Sequence, residues 1–456
     1  MNAPSTAAAE PAKHARRVQA LREQLRDAGE PGVPLGLAKV SSNLFRDRQE
    51  PPKRRLDLRD FCHVLQIDAD AGWVDVEGLC SYEALVDALL PHGLMPAVVP
   101  QLKGITVAGA VAGVGIEATS FRQGLVHDTV LAIDVLLADG ELLHCTPDNE
   151  QRDLFYGFAN SYGTLGYALK LRLRTLPVKP YVQVQHQRHQ HPQAYFGALA
   201  QQFHGDADFV DGVVFDADRQ VLSVARFVDD APWHSDYSYE KIYYRSLLER
   251  ETDLLRTRDY LWRWDTDWFW CSRQFGAQQP LLRRLIGRQR LNSRTYARWM
   301  RWNARLGLTR HWAQWRGRGV ESVIQDVDIP LVRAEEFLRF LLREIGILPI
   351  WVCPIRATDD GQRYPLYPLQ AHTPYLNFGF WGVIDSPLPR PPGEFNRRVE
   401  RQVMALGGIK SLYSDSYFSR DEFDRAYGRP AYDRLKARYD PKHRLLDLYD
   451  KCVLRG

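Results

Sequence analysis

A glycine-rich stretch in the N-terminal third carries the clearest chemical signal. Five glycines lie in GITVAGAVAGVGIEATSFRQG, residues 104–124. A glycine has no Cβ, so the backbone can pass close to a ligand and present N–H groups to phosphate oxygens. The order differs from a dinucleotide-binding GxGxxG loop, which follows a buried strand and opens a long helix. The stretch therefore predicts a ligand-binding loop, with tight backbone packing as the alternative interpretation.

Histidine and cysteine patterns favour neither a metal site nor a reactive thiol. His186, His189 and His191 are close in sequence, but on a strand His186 would face away from the other two, and exposed histidines are expected. The six cysteines form no CxxC pair, which favours reduced thiols. Cys353 lies in the apolar run IWVCPI, which is typical of a small buried side chain. No metal site is predicted.

The elements that position the glycine loop form an α+β pattern from about residue 35 to 177. SYEALVDALLPHG, with Ser81 as N-cap, is typical of a helix. TVLAIDVLLADGELLHCT predicts a hairpin that turns at Asp139-Gly140. A second glycine turn, SYGTLGY, precedes the alternating strand ALKLRLRTL. These elements predict one compact unit around the loop.

A second α+β pattern runs from Tyr181 to about Val383 and ends in the Pro-rich stretch 386–395. The predicted organisation has four parts. Residues 1–34 form a disordered start of about a dozen residues followed by an amphipathic helix. Residues 35–177 form the ligand domain, 178–394 a cap domain, and 395–456 a segment that returns to the ligand domain.

Residues 254–318, which we call the Trp/Arg segment, differ in composition from the rest of the chain. They contain eight of the twelve tryptophans, fifteen arginines, no lysine and three acids, which gives a local charge of +12. One interpretation is a membrane-surface element with its indoles in the interface. Another is a self-packed helical insert with cation–π pairs. Nucleic-acid binding is disfavoured because no recognised module is present.

Composition indicates a globular protein that works in the cytoplasm. The 456 residues are 45% hydrophobic and 25% charged, with a formal net charge of +4. No apolar run approaches the roughly 18–20 residues needed to cross a bilayer. The N-terminus lacks the apolar core of a secretory signal. A soluble, cytoplasmic protein is expected, with peripheral membrane contact if the Trp/Arg segment provides it.

The glycine stretch, the ADG hairpin and SYGTLGYALKLRLRTLP together resemble the FAD-binding domain of the vanillyl-alcohol oxidase/p-cresol methylhydroxylase (PCMH) superfamily. Within it, VIQDVDIPL, LPIWVCPI, SLYSDSYFSRDEF and YDRLKARYDP are most similar to the delta(24)-sterol reductase family. The resemblance covers roughly residues 35–456. It implies an α+β fold, in which a two-subdomain PCMH-type FAD-binding domain is combined with an α+β cap domain for substrate.

The resemblance also implies positions for FAD. Those that would wrap the flavin and its ribityl-pyrophosphate are Thr106, Val107, Gly109, Gly113, Gly115, Ile116 and Glu117, followed by Ser120 and Gly124. Those beside the adenine half would be Gly163, Thr164, Leu165 and Gly166. Those in the place of the superfamily's pyrophosphate loop are Lys39, Val40, Ser41, Ser42 and Asn43.

That loop departs from the superfamily pattern. KVSSN replaces the usual Arg-Gly-Gly-Gly-Thr, although two serines and an asparagine can still donate to phosphate oxygens. Ala108 replaces a common glycine. Many relatives attach FAD through a histidine in this loop, but none lies between Leu35 and Phe61. Noncovalent FAD is therefore expected, and the resemblance alone implies NADPH as electron donor.

Reducing a carbon–carbon double bond requires a proton on one carbon and a hydride from flavin N5 on the other. A carboxylic acid in an apolar pocket is a good proton donor because burial raises its pKa. Glu117 and Asp415 are the predicted donors, and on a strand Tyr413, Asp415 and Tyr417 would share one face. The alternatives are a structural hydrogen bond for Glu117 and a turn cap for Asp415.

The leading hypothesis is FAD-dependent reduction of a double bond in a sterol-like or fatty-acyl substrate. A second hypothesis reverses the hydride flow, as in an oxidase or dehydrogenase of an alcohol or sugar acid. A third is a lipid-binding protein on the same fold without flavin, against which the intact glycine loop argues. The expected partner is a hydrophobic small molecule, and no nucleic-acid partner is expected.

Overall fold

The computed structural model describes residues 6–26, 33–39, 45–46, 54–306, 317–357, 364–387 and 390–454. Its strands are β1 (Leu35–Ala38), β2 (Arg54–Asp57), β3 (Val64–Asp68), β4 (Trp73–Glu77), β5 (Leu94–Pro96), β6 (Val130–Leu136), β7 (Leu142–Cys145), β8 (Tyr167–Pro177), β9 (Tyr181–His189), β10 (Phe209–Asp216), β11 (Arg219–Val228), β12 (Thr252–Arg256), β13 (Arg318–Pro330), β14 (Ile350–Arg356), β15 (Pro374–Pro387) and β16 (Ile409–Lys410).

The α-helices of the same residues are α1 (Thr6–Arg26), α2 (Tyr82–Leu89), α3 (Val107–Ala112), α4 (Ser120–Gln123), α5 (Arg152–Gly157), α6 (Pro192–Gln202), α7 (Tyr243–Glu249), α8 (Thr257–Leu261), α9 (Pro280–Ile286), α10 (Ser293–Leu306), α11 (Ala334–Phe340), α12 (Glu394–Ala405), α13 (Arg420–Ala426), α14 (Arg429–Tyr439) and α15 (Leu448–Cys452). Helices and strands are interspersed along the chain, which confirms the predicted α+β class. None of these helices is long and apolar enough to cross a membrane.

The first sheet has the strand order β3-β4-β8-β6-β7, with β5 paired to β8. Strand β8 shows why these residues form a sheet with one buried face, because its leucines are buried and alternate with half-exposed basic residues. The predicted helix cap is confirmed, since the Ser81 side chain accepts from the Ala84 N–H at 3.3 Å. The predicted hairpin turn is also confirmed, and Gly140 there has a φ of 92°.

The second sheet has eight strands in the order β12-β9-β11-β10-β14-β15-β13-β16. Strand β13 pairs along its whole length with β15. Strand β16 extends the sheet, because Ile409 and Lys410 pair with Asp328 and Val327. The beginning of the predicted C-terminal segment therefore joins the second sheet, and later helices reach the first unit. Lys436 of α14, for example, donates to the Thr164 carbonyl at 2.8 Å. The domain limits themselves stay a prediction.

The N-terminal segment differs from the expected disordered dozen residues, because α1 begins at Thr6 and contains Pro11. Its inner face holds Val18, Leu21 and Leu25, which are buried together with β1 and β2 residues in one apolar cluster. This spacing of three and four residues places the three side chains on one side of the helix. The described helix is thus held by packing of its second half, which the alanine-rich composition of its first half did not reveal.

Four tryptophans in the described part of the Trp/Arg segment lie inside the protein. Trp262, Trp264, Trp268 and Trp270 are 4%, 1%, 6% and 2% exposed. Trp268 and Trp270 therefore cannot be the membrane-inserting indoles that the composition suggested. Their rings join an aromatic core, in which Trp270 and Trp381 have ring centroids 5.4 Å apart. Buried aromatic packing accounts for four of the six tryptophans of this segment that the structure describes.

His186 also differs from the expectation of exposed histidines. Its strand, β9, lies between β11 and β12, so the side chain is covered and only 4% exposed. The Nδ1 atom lies 2.9 Å from the Ser223 hydroxyl. Burial lowers the pKa of His186 to about 4, so the ring is neutral at physiological pH. Among the described residues, no group of histidine, cysteine and acidic side chains could hold a metal ion.

Glu77 should be the main polar anchor of α1. This buried carboxylate lies 2.7 Å from His14 Nδ1 and accepts from Arg17 at 2.6 Å. Burial raises its pKa, but hydrogen bonds from His14, Arg17 and His63 outweigh it and lower the pKa to about 2. A shift of that size corresponds to on the order of 3 kcal/mol. Glu77→Gln should reduce the free energy of unfolding by about that amount at pH 7, measured by denaturant titration.

The pH dependence of this effect has a fixed sign. Because the folded pKa is lowered, the contribution of Glu77 is fully present above about pH 4.5 and is lost as the pH falls towards 2. The difference between wild type and Glu77→Gln should therefore shrink below pH 4.5. Glu23→Gln, at an exposed position of the same helix, serves as the matched control. An equal effect of the two substitutions would contradict the anchor role.

Candidate active site

A cavity of about 460 Å³ lies between the glycine loop of the first unit and an aromatic wall of the second. Eight of the predicted FAD positions line it, namely Lys39, Thr106, Gly109, Gly113, Gly115, Ile116, Gly163 and Gly166. The loop around α3 and the turn before β8 thus meet at one cavity, as the resemblance implied. The backbone of the loop is the surface that a flat ligand would contact.

Local packing explains why glycine is needed in this cradle. A Cβ on Gly115 would lie 2.8 Å from the Val126 side chain, and one on Gly113 would lie 2.8 Å from the Gly109 carbonyl oxygen. Gly166 has a φ of 147°, which residues with a Cβ rarely adopt. The contacts agree with the packing interpretation of the glycines, and the loop backbone also lines the cavity. Ligand binding by this loop stays a prediction.

Other predicted FAD positions do not line the cavity. These are Val107, Glu117, Ser120, Gly124, Thr164 and Leu165. Val107, Thr164 and Leu165 are fully buried behind the lining. The Ser120 hydroxyl accepts from the Glu117 N–H at 3.1 Å and so supports the loop from behind. Ser41, Ser42 and Asn43, with Val40, lie outside the described residues, and their role stays a prediction.

Basic residues in the cavity lining fit a diphosphate. They are Lys39, Arg55 and Lys451. Arg46 is buried, lies over the Tyr162 ring at 5.0 Å, and donates to the Lys451 carbonyl at 2.9 Å. Its Nε and Nη2 atoms are buried without a hydrogen-bond partner. A buried guanidinium with spare donors suits phosphate oxygens, so the residues present fit FAD.

Arg46 and Lys451 are positions that sequence reasoning missed. Arg46 follows the KVSSN loop by three residues, so its basic side chain was a usable signal. Lys451 lies more than 280 residues from Tyr162, whose carbonyl accepts from its ammonium group at 2.6 Å. Only the tertiary fold brings that lysine to the cavity.

The lining also contains an aromatic wall, made by Phe45, Trp268, Phe269, Trp351 and Trp381. The Phe269 and Trp381 ring centroids are 4.3 Å apart. Trp268 and Phe269 have φ values of 44° and 60°, a left-handed conformation that costs non-glycine residues of order 1–3 kcal/mol each. Two consecutive strained residues turn both rings towards the cavity, which suits an apolar substrate.

Asp326 is the acid that the structure places in this wall. It lies on β13, where alternate residues such as Val323 and Val327 face the second core while Asp326 faces the cavity. Burial raises its pKa to about 7, although a hydrogen bond from Tyr413 partly offsets the increase. Its Oδ1 atom is buried without a hydrogen-bond partner. Sequence reasoning missed Asp326, although this residue lies in VIQDVDIPL, one of the stretches that are similar to the delta(24)-sterol reductase family.

Tyr413 lines the cavity next to Asp326, whereas Asp415 and Tyr417 do not line it. The Tyr413 hydroxyl accepts from Trp381 Nε1 at 3.0 Å. The segment forms a turn and a single bridge between Ser414 and Phe45 rather than a continuous strand. The expected common face of the two tyrosines and Asp415 is therefore wrong. The Tyr417 N–H instead donates to Glu400 at 3.0 Å, away from the cavity lining.

Glu117 belongs to a buried charge cluster behind the cavity. Its Oε1 accepts from Arg263 at 3.3 Å, and Asp211 accepts from the same Nη2 atom at 2.8 Å. Burial raises the pKa of Glu117 to about 7, the Arg263 charge lowers it, and the Asp211 charge raises it. Trp351, a cavity residue, donates its indole N–H to Asp211 at 3.1 Å. Glu117 thus supports the lining and does not face the substrate end.

Cys353 reinforces this arrangement. It is fully buried, as expected from the sequence, and its thiol donates to the Glu117 carbonyl at 3.2 Å. Burial raises its pKa well above the ordinary value, so the group is a neutral thiol. It holds strand β14 against the end of the glycine loop.

Comparison with known proteins agrees with this geometry. The FAD binding domain family matches residues 12–146. A delta(24)-sterol reductase of Rattus norvegicus is 27% identical over 473 residues, covering 97% of this chain and 86% of the relative. A delta(24)-sterol reductase of Arabidopsis thaliana is 25% identical over 470 residues, covering 93% and 80%. A decaprenylphosphoryl-beta-D-ribose oxidase of Mycolicibacterium smegmatis is 30% identical over 125 residues, 27% of each chain. These similarities confirm the resemblance inferred from the motifs.

The cavity lining predicts how FAD is held. No histidine or cysteine lines the cavity within the described ranges, and residues 40–53 contain neither type. Acid precipitation of the purified yellow protein should therefore release FAD to the supernatant, where its absorbance is measured. Flavin that remains with the washed pellet would contradict noncovalent binding.

Arg263 should dominate the stability of the charge cluster. Removing one partner of a buried ion pair leaves an uncompensated charge and typically costs 3–5 kcal/mol, so Arg263→Met should lower the free energy of unfolding by about 3 kcal/mol or more. Arg258→Met is the matched control, because Arg258 pairs with Asp87 at 2.7 Å on an exposed surface and should contribute about 1 kcal/mol or less. Similar losses in denaturant unfolding would show that the cluster is not a major contact.

Proposed function

Because this chain is an FAD-dependent oxidoreductase similar over nearly its whole length to delta(24)-sterol reductases, we propose that it reduces a carbon–carbon double bond in a sterol-like or fatty-acyl lipid. The observation that carries the proposal is the position of Asp326. One cavity is lined at once by the glycine loop, by an aromatic wall and by this buried acid. An alkene needs that combination, since it offers no polar group for recognition and requires a proton donor.

The roles of the chain's own residues follow from the geometry. Bound FAD in its reduced form would supply the hydride to one alkene carbon. Asp326 is buried with a pKa of about 7, so a large fraction is protonated at neutral pH and its proton goes to the other carbon. Tyr413 orients the carboxyl group and is itself oriented by the Trp381 indole N–H. The aromatic wall excludes water and holds the apolar chain.

Asp326 replaces the two donors expected from the sequence. Glu117 is also buried and has a pKa of about 7, but its carboxylate is bound to Arg263. Asp415 lies outside the cavity lining. Asp326 alone among these three acids combines a raised pKa, an oxygen without a hydrogen-bond partner and a place on the cavity.

An oxidase or dehydrogenase of an alcohol is the second candidate. The partial similarity to a decaprenylphosphoryl-beta-D-ribose oxidase, which covers 27% of the chain, favours it. In that reaction Asp326 would act in its ionised form and accept a proton from the alcohol. The two candidates are distinguished under anaerobic conditions. An alkene substrate would oxidise reduced flavin, whereas an alcohol substrate would reduce oxidised flavin.

The proposal has three further parts. NADPH is the electron donor, which the relationship to sterol reductases supports. The protein contacts anionic membranes at their surface, which suits a substrate dissolved in a bilayer. The reaction takes place in the cytoplasm and needs no nucleic acid. To test NADPH as donor, the oxidised protein is mixed with NADPH without oxygen, and the loss of flavin absorbance that accompanies reduction is followed. NADH serves as the comparison.

Asp326→Asn tests the proton donor. The amide cannot deliver a proton of comparable acidity, so kcat for alkene reduction should fall about 100-fold or more. FAD content and the rate of flavin reduction by the donor should stay within about twofold. Asp328→Asn is the matched control, because Asp328 is buried two residues away but is satisfied by Tyr367 at 2.7 Å and Asn377 at 2.8 Å. Equal losses for the two variants would contradict the assignment.

The pH profile gives a second readout of the same group. An acid whose pKa is about 7 is protonated below that pH, so kcat for alkene reduction should fall as the pH rises through about 7. Oxidation of an alcohol would show the opposite slope, since the ionised form is then required. In Asp326→Asn the decrease in kcat near pH 7 should disappear. A decrease that persists in this variant would assign the titration to another residue.

A further inference from the structure

The short helix α9 presents leucines to solvent. Leu281 and Leu285 are 77% and 79% exposed, and Leu282 is 41% exposed. Leu281 and Leu285 are four residues apart, so they lie on the same side of the helix. The helix is well defined, because Pro280 occupies its first turn and Gly287 follows its last residue. An exposed leucine face on a rigid helix indicates a contact surface for an apolar partner.

The next helix, α10, presents a positively charged face. Arg294, Arg298, Arg301 and Trp302 are exposed, and their positions span about 100° of arc around the helix. Trp302 is 62% exposed, unlike the buried tryptophans earlier in the segment. Within the described part of the chain, no ion pair joins Arg298 or Arg301 to an acid. An indole beside unpaired guanidinium groups matches the headgroup region of a membrane.

Both helices are fixed to the same short segment. The Tyr296 ring of α10 stacks on Phe275, with centroids 5.5 Å apart and an interplanar angle of 6°. The Leu282 side chain of α9 lies against Gly276, where an added Cβ would be 3.1 Å from its Cδ1 atom. Phe275 and Gly276 therefore hold the leucine face and the arginine face in fixed positions. We name the exposed side chains of the two helices the α9–α10 surface.

This surface borders the cavity. Arg301 is exposed on α10 and also lines the cavity, whose other lining residues include the aromatic wall. Gly104, another lining residue, lies against the Arg294 side chain, since an added Cβ would be 3.4 Å from its Cγ atom. A ligand that enters or leaves beside Arg301 therefore passes next to the α9–α10 surface.

We propose that the α9–α10 surface binds an anionic phospholipid bilayer and places the cavity entrance against it. The leucines and Trp302 enter the interface, and the arginines bind lipid phosphates. The inference rests on the proposed function for the membrane contact, to which it assigns a surface, and for the nature of the substrate that enters. A second copy of this chain would bury the leucines, but two copies of an arginine face would repel each other. Charge complementarity therefore favours an anionic bilayer.

Flotation with vesicles tests the surface using the whole FAD-containing protein. Vesicles of phosphatidylcholine with phosphatidylglycerol should carry the protein at low salt, and vesicles of phosphatidylcholine alone should carry at least about tenfold less. Raising the salt to about 0.5 M should remove most of the binding, since screening shortens the Debye length. Equal binding to both vesicle types, or no binding at low salt, would overturn the proposal.

Substitutions locate the contact. Leu281→Ser with Leu285→Ser should weaken vesicle binding at least about fivefold, whereas Val332→Ser, which changes an 89% exposed valine on the cap, should not. Arg298→Gln with Arg301→Gln should weaken it similarly, whereas Arg339→Gln with Arg343→Gln should not. Binding that is unchanged in both α9–α10 variants would assign membrane contact to another surface.

Two controls separate this inference from the proposed function. The Leu281→Ser/Leu285→Ser variant should keep full FAD content and full activity on detergent-dispersed substrate, because its leucines lie outside the cavity. Light scattering should give the same molar mass for wild type and variant. A shift from dimer to monomer would show that the leucines form an interface between copies and would overturn membrane docking. Vesicle binding by a protein without reductase activity would reject the proposed function alone.

Discussion

One buried guanidinium joins the two halves of the active cavity. Arg263 contacts Glu117 at the end of the glycine loop and Asp211 on strand β10 of the second sheet. Asp211 also accepts the indole N–H of Trp351, which forms part of the aromatic wall. A fully buried charge is costly without charged or hydrogen-bonding partners, and Arg263 has one carboxylate partner at the loop and one on the second sheet. This pairing ties the loop to the second sheet behind the cavity.

The same low-polarity environment acts on two neighbouring acids of one strand. Asp326 and Asp328 lie on the same face of β13, and burial raises the pKa of both, to about 7 and about 6. Asp328 is satisfied by Tyr367 and Asn377, whereas Asp326 keeps one oxygen without a partner. Two chemically identical groups thus differ in what they can do. The number of hydrogen bonds each receives, and its place on the cavity, makes the difference.

The sequence was sufficient for features that depend on local spacing. Alternation in ALKLRLRTL predicted strand β8, and Asp139-Gly140 predicted the hairpin turn, because both signals act over a few residues. The glycine positions that line the cavity were implied by the family resemblance. Asp326 could not be singled out, since VIQDVDIPL contains two acids and only contacts with the distant Tyr413 and Tyr367 distinguish them.

Other expectations failed where burial depends on distant elements. Composition cannot tell an indole in a core from one at a membrane surface, and Trp270 packs on Trp381 more than 100 residues away. The common face of Tyr413, Asp415 and Tyr417 required a strand, but the segment has a turn at residues 412–413 followed by a single bridge to Phe45. Lys451 reaches the cavity only through the C-terminal helix. Each of these positions is determined by the tertiary fold.

The most direct test of alkene reduction is a single-turnover experiment without oxygen. The enzyme is reduced with a limiting amount of dithionite and mixed with a dispersed sterol that carries a side-chain double bond, or with an unsaturated fatty-acyl lipid, while flavin absorbance is followed. The account predicts that an alkene restores the oxidised flavin spectrum in wild type, and does so about 100-fold more slowly in Asp326→Asn. Flavin that stays reduced with every alkene, or is reoxidised equally fast in both proteins, would contradict it.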